Sequence, residues 1–148
     1  MRILIPGGEG YIGQVLTQYL VEQGHFVKSL DLLIYNQKTN NFINDLNDNY
    51  EFICGDINDQ ELLNNAIKNV DAVILLAGLV GDLITKKYPK ESEIINNKGV
   101  KLVIDTCIKN NIERLIFVST CSNYGFISNN SLAAETHELN PLSLYAKS

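Results

Sequence analysis

Met1-Arg2-Ile3-Leu4-Ile5-Pro6-Gly7-Gly8-Glu9-Gly10-Tyr11-Ile12-Gly13 opens the chain and decides how the rest is read. Met1–Pro6 is a short apolar run that stops at glycines, the pattern of a fully buried strand. From Tyr11 to Gln23 the apolar residues Ile12, Val15, Leu16, Tyr19 and Leu20 recur at helical spacing, and Gly24 ends that helix. The glycines between strand and helix are spaced as Gly7, Gly10 and Gly13, and each has a physical use. Gly7 permits the tight turn out of the strand. Gly10 lets backbone N–H groups, with Tyr11 and Ile12 at the helix start, approach a dinucleotide pyrophosphate. Gly13 lets the helix pack close on the sheet. The competing reading is a glycine-rich turn without a ligand. The loop lacks the Lys-Ser/Thr pair that a triphosphate-binding loop needs, which argues against a nucleoside triphosphatase.

Working outward, Phe26–Leu32 is the second strand, and Asp31 lies near its end, 18 residues after Gly13. A carboxylate there accepts hydrogen bonds from the adenine ribose hydroxyls and repels a 2′-phosphate, so the expected cofactor is NAD rather than NADP. The alternative for Asp31 is an ordinary strand-end carboxylate. Tyr35–Asn49 is a polar stretch, a long loop or a weak helix. Tyr50–Cys54 is the third strand, and Asp59–Lys68 a short helix with Leu62, Leu63, Ala66 and Ile67 inward. Ala72–Ala77 is the fourth strand, Gly78–Lys90 a loop, and Glu91–Asn110 a helix without a clean apolar stripe. Leu115–Ser119 is the fifth strand, Asn129–Pro141 a loop, and a further helix starts at Leu142. The strands are near-continuous apolar runs that alternate with helices, which predicts an α/β fold. A doubly wound parallel sheet covered on both faces, the Rossmann NAD-binding fold, is the natural topology, here incomplete at the C-terminus.

Composition narrows the function classes. The chain has 148 residues, 45% hydrophobic and 20% charged, with a formal net charge of −5, which suits about one soluble domain. No basic stripe favours a nucleic-acid partner. No apolar run approaches the roughly 20 residues that a membrane span needs, and the N-terminus does not read as a signal peptide, so the expected location is cytoplasmic. Cys54, Cys107 and Cys121 form no CxxC pair, which argues against a disulfide framework or a metal site. Each sits in or beside an apolar run and reads as a small buried hydrophobe.

The GxxGxxG spacing resembles the extended short-chain dehydrogenase/reductase family, in its NAD-dependent nucleotide-sugar epimerase/dehydratase branch (UDP-glucose 4-epimerase-like). Later segments match in order across the whole chain. Gly55-Asp56-Ile57 follows the third strand, and the resemblance implies that Asp56 and Ile57 flank the adenine. Leu75-Leu76-Ala77-Gly78 is similar to the family's LAA segment, so the backbone of Leu76, Ala77 and Gly78 is implied to line the nicotinamide ribose and pyrophosphate. Asn96, with Gly99 three residues on, resembles N-x-x-G-T, with Val100 in place of the Thr; that Asn organises the active site in the family. Ser119-Thr120-Cys121-Ser122-Asn123-Tyr124-Gly125 resembles S-[ST]-x-x-x-Y-G, placing Ser119 beside the cofactor and Thr120 at the catalytic Ser/Thr position. Asn140–Ser148 resembles the run into the Tyr-x-x-x-Lys helix, with Tyr145 as the catalytic Tyr.

What the resemblance implies is hydride transfer on a nucleotide-activated sugar. Tyr145 acts as general base and Thr120 aligns the reacting hydroxyl. A phenol near pKa 10 is a poor base at neutral pH, so a cationic Lys and the nicotinamide charge must lower it. That Lys falls at position 149, one past Ser148, and Lys147 lies about 200° around a helix from Tyr145, so it cannot substitute. The 148-residue polypeptide is therefore expected to be an N-terminal fragment with little or no turnover and marginal stability. Dehydratases of the family carry an Asp-Glu pair where Cys121 and Ser122 stand, so an epimerase is expected. A 4,6-dehydratase or reductase, and a non-catalytic NAD-binding module, are the alternatives. The loop Leu79-Val80-Gly81-Asp82 faces the expected substrate side. Family members often form homodimers through the helix carrying Asn96 and the one after Tyr145, so a homodimer is possible in a full-length parent.

Overall fold

The structure is a computed structural model that describes residues 1–35, 47–127 and 132–148. Among these residues the elements run β1 (Arg2–Pro6), α1 (Tyr11–Glu22), β2 (Phe26–Asp31), β3 (Tyr50–Cys54), α2 (Gln60–Ala66) and β4 (Ala72–Leu75). They continue with α3 (Asp82–Lys87), α4 (Pro89–Ser92), α5 (Val100–Lys109), β5 (Arg114–Phe117) and α6 (Leu144–Lys147). All five strands are parallel, in the order β3-β2-β1-β4-β5. The expected parallel α/β sheet is thus present. No helix among the described residues is long and apolar enough to cross a membrane.

Successive residues of a strand point to opposite faces, and here both faces are covered. Leu4, Leu30, Val73 and Leu75 pack with α2 and α5 residues such as Leu63 and Val103, while Ile3, Ile5, Val27 and Ala72 pack with Leu16, Leu20 and Val21 of α1. That two-sided burial is why β1 reads as an unbroken apolar run. The order reverses between β1 and β4, so a crevice opens beyond their carboxyl ends, where this class of sheet binds ligands.

Several expectations are corrected. In α1, Gly13 and Thr17 are buried and Leu16, Leu20 and Val21 pack on the sheet, while Ile12, Val15 and Tyr19 of the expected periodic set are exposed. The helix is clamped at Gly13, and that contact fixes its rotation on the sheet. The 78–90 loop contains α3, whose Thr85 is buried and donates to Gly81 O at 3.2 Å. The predicted 91–110 helix is interrupted by a π-helical turn over Glu93–Gly99. A π turn advances by more than an α turn per repeat, so the apolar stripe breaks there. Of the cysteines only Cys107 is buried; Cys54 and Cys121 are exposed. Residues 36–46 of the polar stretch, and 128–131 of the later loop, lie outside the described residues; Asn47–Asn49 form a 3-10 turn.

Candidate cofactor and active site

The loops that follow β1 and β4 meet at the crevice. Pro6 O accepts from Leu76 N at 2.9 Å and from Ala77 N at 2.8 Å, and Gly7 N donates to Leu30 O at 2.8 Å. Gly7 has φ +83, and a Cβ there would overlap the Ala77 backbone. Gly7 is therefore fixed both by its left-handed conformation and by lack of room. A Cβ on Gly13 would come within 2.5 Å of Gly7 O and 2.6 Å of Gly8 O. So Gly13 brings the helix start against the turn itself more than against the sheet. Gly10 is the N-cap of α1, with no side-chain cap, and the first turn carries no acidic residue. The first N–H groups of a helix have no intrahelical acceptor, so this end is open to an anion. Tyr11 is 94% exposed and Ile12 is 58% exposed.

At the end of β2, Asp31 is held from both sides. Its Oδ2 accepts from Glu9 N at 3.1 Å and its Oδ1 from Leu33 N at 2.8 Å. Each oxygen keeps a further lone pair for a hydroxyl donor. β3 delivers the next acid beside it: Gly55 N donates to Asp31 O at 3.0 Å. Asp56 Oδ1 accepts from both N and Nδ2 of Asn58 at 2.8 Å. Ile57, expected to flank an adenine, sends its side chain into the core at 5% exposure, where a Cβ on Gly99 would be only 2.7 Å from its Cδ1. Its backbone alone remains for a ligand.

The second half of the site is organised by Asn96, carried on the π turn. Its Oδ1 accepts from Leu79 N at 2.8 Å, and its Nδ2 donates to Leu79 O at 3.0 Å and to Ser148 Oγ at 3.2 Å. One side chain thereby pins the segment after Gly78 and the end of α6. After β5, Thr120 is the N-cap of a 3-10 turn over Cys121–Tyr124, its Oγ1 accepting from Ser122 N at 3.2 Å. A hydroxyl that accepts in this way keeps its own hydrogen to donate. Ser119 Oγ accepts from Asn123 Nδ2 at 3.0 Å. Gly125, at φ +65, leaves no room for a Cβ beside Asn140 O, and Asn140 N donates to Asn123 O at 2.9 Å. That contact returns the chain to Ser143, whose Oγ accepts from Ala146 N at 3.1 Å and starts α6 with Tyr145 on it. α6 packs on the 3-10 turn and on α3. Between them lies a cleft of about 220 Å³ lined by Asp82, Ser122, Gly125, Phe126, Leu142 and Ser143. Asp82, at the start of α3, forms part of its wall.

The turn that holds Gly7 meets the Leu76-Ala77 segment and the end of β2, where Glu9 N reaches Asp31; Asn96 joins Leu79 to Ser148, and the helix that carries Tyr145 packs on the turn capped by Thr120. Sequence reasoning missed a group of three residues, Glu9 within the glycine loop and Ser29 and Tyr50 bonded to it. Glu9 is 5% exposed, and its Oε1 accepts from Ser29 Oγ at 2.5 Å and from Tyr50 Oη at 2.8 Å. An acid in a glycine loop, a Ser in an apolar strand and a Tyr at a strand start carry no shared signal until folding brings them together.

Known proteins resemble this chain in sequence and fold. Residues 4–147 match the 3-beta hydroxysteroid dehydrogenase/isomerase family. A UDP-glucose 4-epimerase of Halalkalibacterium halodurans is 34% identical over 130 residues, covering 84% of this chain and 36% of that protein. The UDP-glucose 4-epimerase of Thermus thermophilus, solved in complex with NAD, superposes with a TM-score of 0.85 at 26% identity, over 99% of this chain and 47% of that one. The dTDP-glucose 4,6-dehydratase of Streptomyces venezuelae, solved with NAD bound, gives a TM-score of 0.89 at 28% identity, over 99% and 48%. The chain spans less than half the length of these relatives. With the match running over residues 4–147, the chain belongs to the 3-beta hydroxysteroid dehydrogenase/isomerase family, and it is similar in sequence and fold to nucleotide-sugar epimerases and dehydratases.

Proposed function

We propose that this chain is the NAD-binding Rossmann portion of an epimerase that acts on a nucleotide-activated sugar. The observation that carries the reading is the uncapped N-terminus of α1, set by Gly7 and Gly13 against the β4 loop and flanked by Asp31. That cradle fits NAD. A Cβ at either glycine would collide with the backbone that shapes it, its helix end offers N–H groups to a pyrophosphate, and Asp31 offers acceptors to ribose hydroxyls. Asp56, the Ile57 backbone and the backbone of Leu76, Ala77 and Gly78 continue the same binding surface, with Ser119 at its far end. Bound NAD supplies the hydride acceptor and donor.

The chain's own residues then hold the sugar. The Thr120 hydroxyl aligns the carbinol, and Tyr145 takes its proton as general base. Asn96 keeps the Leu79 backbone and α6 in register while this happens. Cys121 and Ser122 offer no carboxylic acid for removal of water, so the reading is epimerisation rather than dehydration. In the whole protein this reading includes a nucleotide-sugar substrate and a homodimer through the Asn96 helix and the helix begun by Tyr145.

Calorimetric titration of the chain with NAD and NADP tests the cofactor directly. Micromolar NAD binding, weaker in Asp31→Ala, is the expected result; binding of neither cofactor would overturn it. For the reaction, the full-length protein supplied with a nucleotide sugar should yield its epimer with no loss of water, and a dehydrated keto product would instead assign a dehydratase.

A further inference from the structure

Glu9 does more than close a turn. It lies inside the glycine loop, between Gly8 and Gly10, and is 5% exposed. Oε1 takes two hydroxyl donors, Ser29 and Tyr50, while Oε2 is buried with no hydrogen-bond partner among the described residues. The same residue's backbone N–H is a donor to Asp31 Oδ2. Leaving one oxygen of a buried acid unpaired is costly, so its retention calls for an explanation. The two hydroxyl donors do not supply one, because the carbonyl of a glutamine would accept both. What an acid adds at this place is negative charge.

The surroundings leave that charge uncompensated. Among the described residues the salt bridges are Lys28–Glu51 and Lys101–Asp105, so neither Glu9 nor Asp31 has a cationic partner. Lys28, the buried cation of β2, points its Nζ to Ala66 O at 3.0 Å and Lys68 O at 3.1 Å on the other face of the sheet. Burial, then the hydrogen bond to and charge of Glu9, and also the charge of Asp31, push the Tyr50 phenol well up. Both acids therefore act on one point beside the loop. A charge behind a loop is screened by salt far less than one in open water.

We infer that Glu9 is a second acidic determinant of cofactor choice, which works with Asp31 to exclude the 2′-phosphate of NADP. The inference rests on the dinucleotide reading above. Asp31 rewards the ribose hydroxyls at short range; Glu9 adds a field that persists when Asp31 is removed. The test is calorimetric titration of the 148-residue chain with NAD and NADP, for the parent, Glu9→Gln, Asp31→Ala, the double variant and Tyr50→Phe. Glu9→Gln should raise the NADP-to-NAD affinity ratio about tenfold. The double variant should take NADP better than Asp31→Ala does. Tyr50→Phe, which removes a hydrogen bond and keeps the charge, should leave the ratio where it was.

If Glu9→Gln weakens both cofactors by one factor, Glu9 is only a prop for the loop and the inference is overturned. It is overturned as well if Asp31→Ala alone matches the double variant. Should circular dichroism show Glu9→Gln unfolded, Glu9→Thr carries the same comparison. Normal NAD binding with an unmoved ratio sinks Glu9's role alone, whereas no binding of NAD by the parent sinks the cofactor reading and this inference together.

Discussion

Asn96 shows how one amide can hold a site together. It bonds both the N–H and the C=O of Leu79 and reaches Ser148, joining segments that are otherwise only packed. Asn96→Ala leaves the Leu79 pair unsatisfied, a loss of about 1–3 kcal/mol. Urea unfolding should register it, and hydrogen exchange at the Leu79 amide should quicken more than at β1 amides; equal protection at both would contradict the pinning role. Gly7 and Gly13 were legible in the sequence, because a left-handed turn and a close approach of the helix start to that turn demand glycine at fixed offsets. Glu9 was not legible. Its partners Ser29 and Tyr50 are 20 and 41 residues away, and no local pattern announces a contact of that range. Ile57 was placed by resemblance at the adenine, and its side chain went to the core because Gly99 leaves a hole there that a branched apolar chain fills.

Short helices depend on their ends. α2 spans Gln60–Ala66 and could not persist alone. Asp59 Oδ1 accepts from Glu61 N and Leu62 N, both at 3.0 Å. Beyond its other end, the Lys28 ammonium collects the carbonyls of Ala66 and Lys68. Asp59→Ala should cost about 1 kcal/mol, read as a lower urea midpoint with the slope unchanged. No change in midpoint would mean that packing of Leu63 and Ala66 alone holds the helix. Strands were the easiest elements to foresee, since Ile3–Pro6 of β1 and the whole of β4 are continuous apolar runs, and both strands lie within the sheet. Helices were harder. α3 is six residues long and polar on most positions, so periodicity gives it nothing to show. The π turn over Glu93–Gly99 hid the stripe of the long helix by shifting its phase midway.

On the scale of the whole molecule, burial of weak acids sets a limit at high pH. Burial pushes the Cys107 thiol up to about 11 from an ordinary value of 9.0. The Tyr50 phenol is likewise pushed up, mainly by burial and then by Glu9. Both groups gain charge when they lose a proton, and the folded state resists that loss. Their contribution is thus complete below pH 9 and is lost as pH rises, because the unfolded chain gives up the protons first. The Cys107 share should reach about 2 kcal/mol by about pH 11. Urea midpoints compared at about pH 8 and about pH 10.5 should fall more steeply for the parent than for Tyr50→Phe or Cys107→Ala. Parallel declines would rule these groups out as the cause. The π turn has a reach of its own across the molecule. A helix normally forgives a change of residue type better than a change of residue count, and here the asymmetry is extreme. Before the turn, Ser92 faces inward; after it, Val103, Thr106 and Cys107 do. Deleting a single residue between them would turn everything on one side by about 100° relative to the other. Either the core face or Asn96 would then be lost. In this stretch length is the trait under constraint, and spelling comes second.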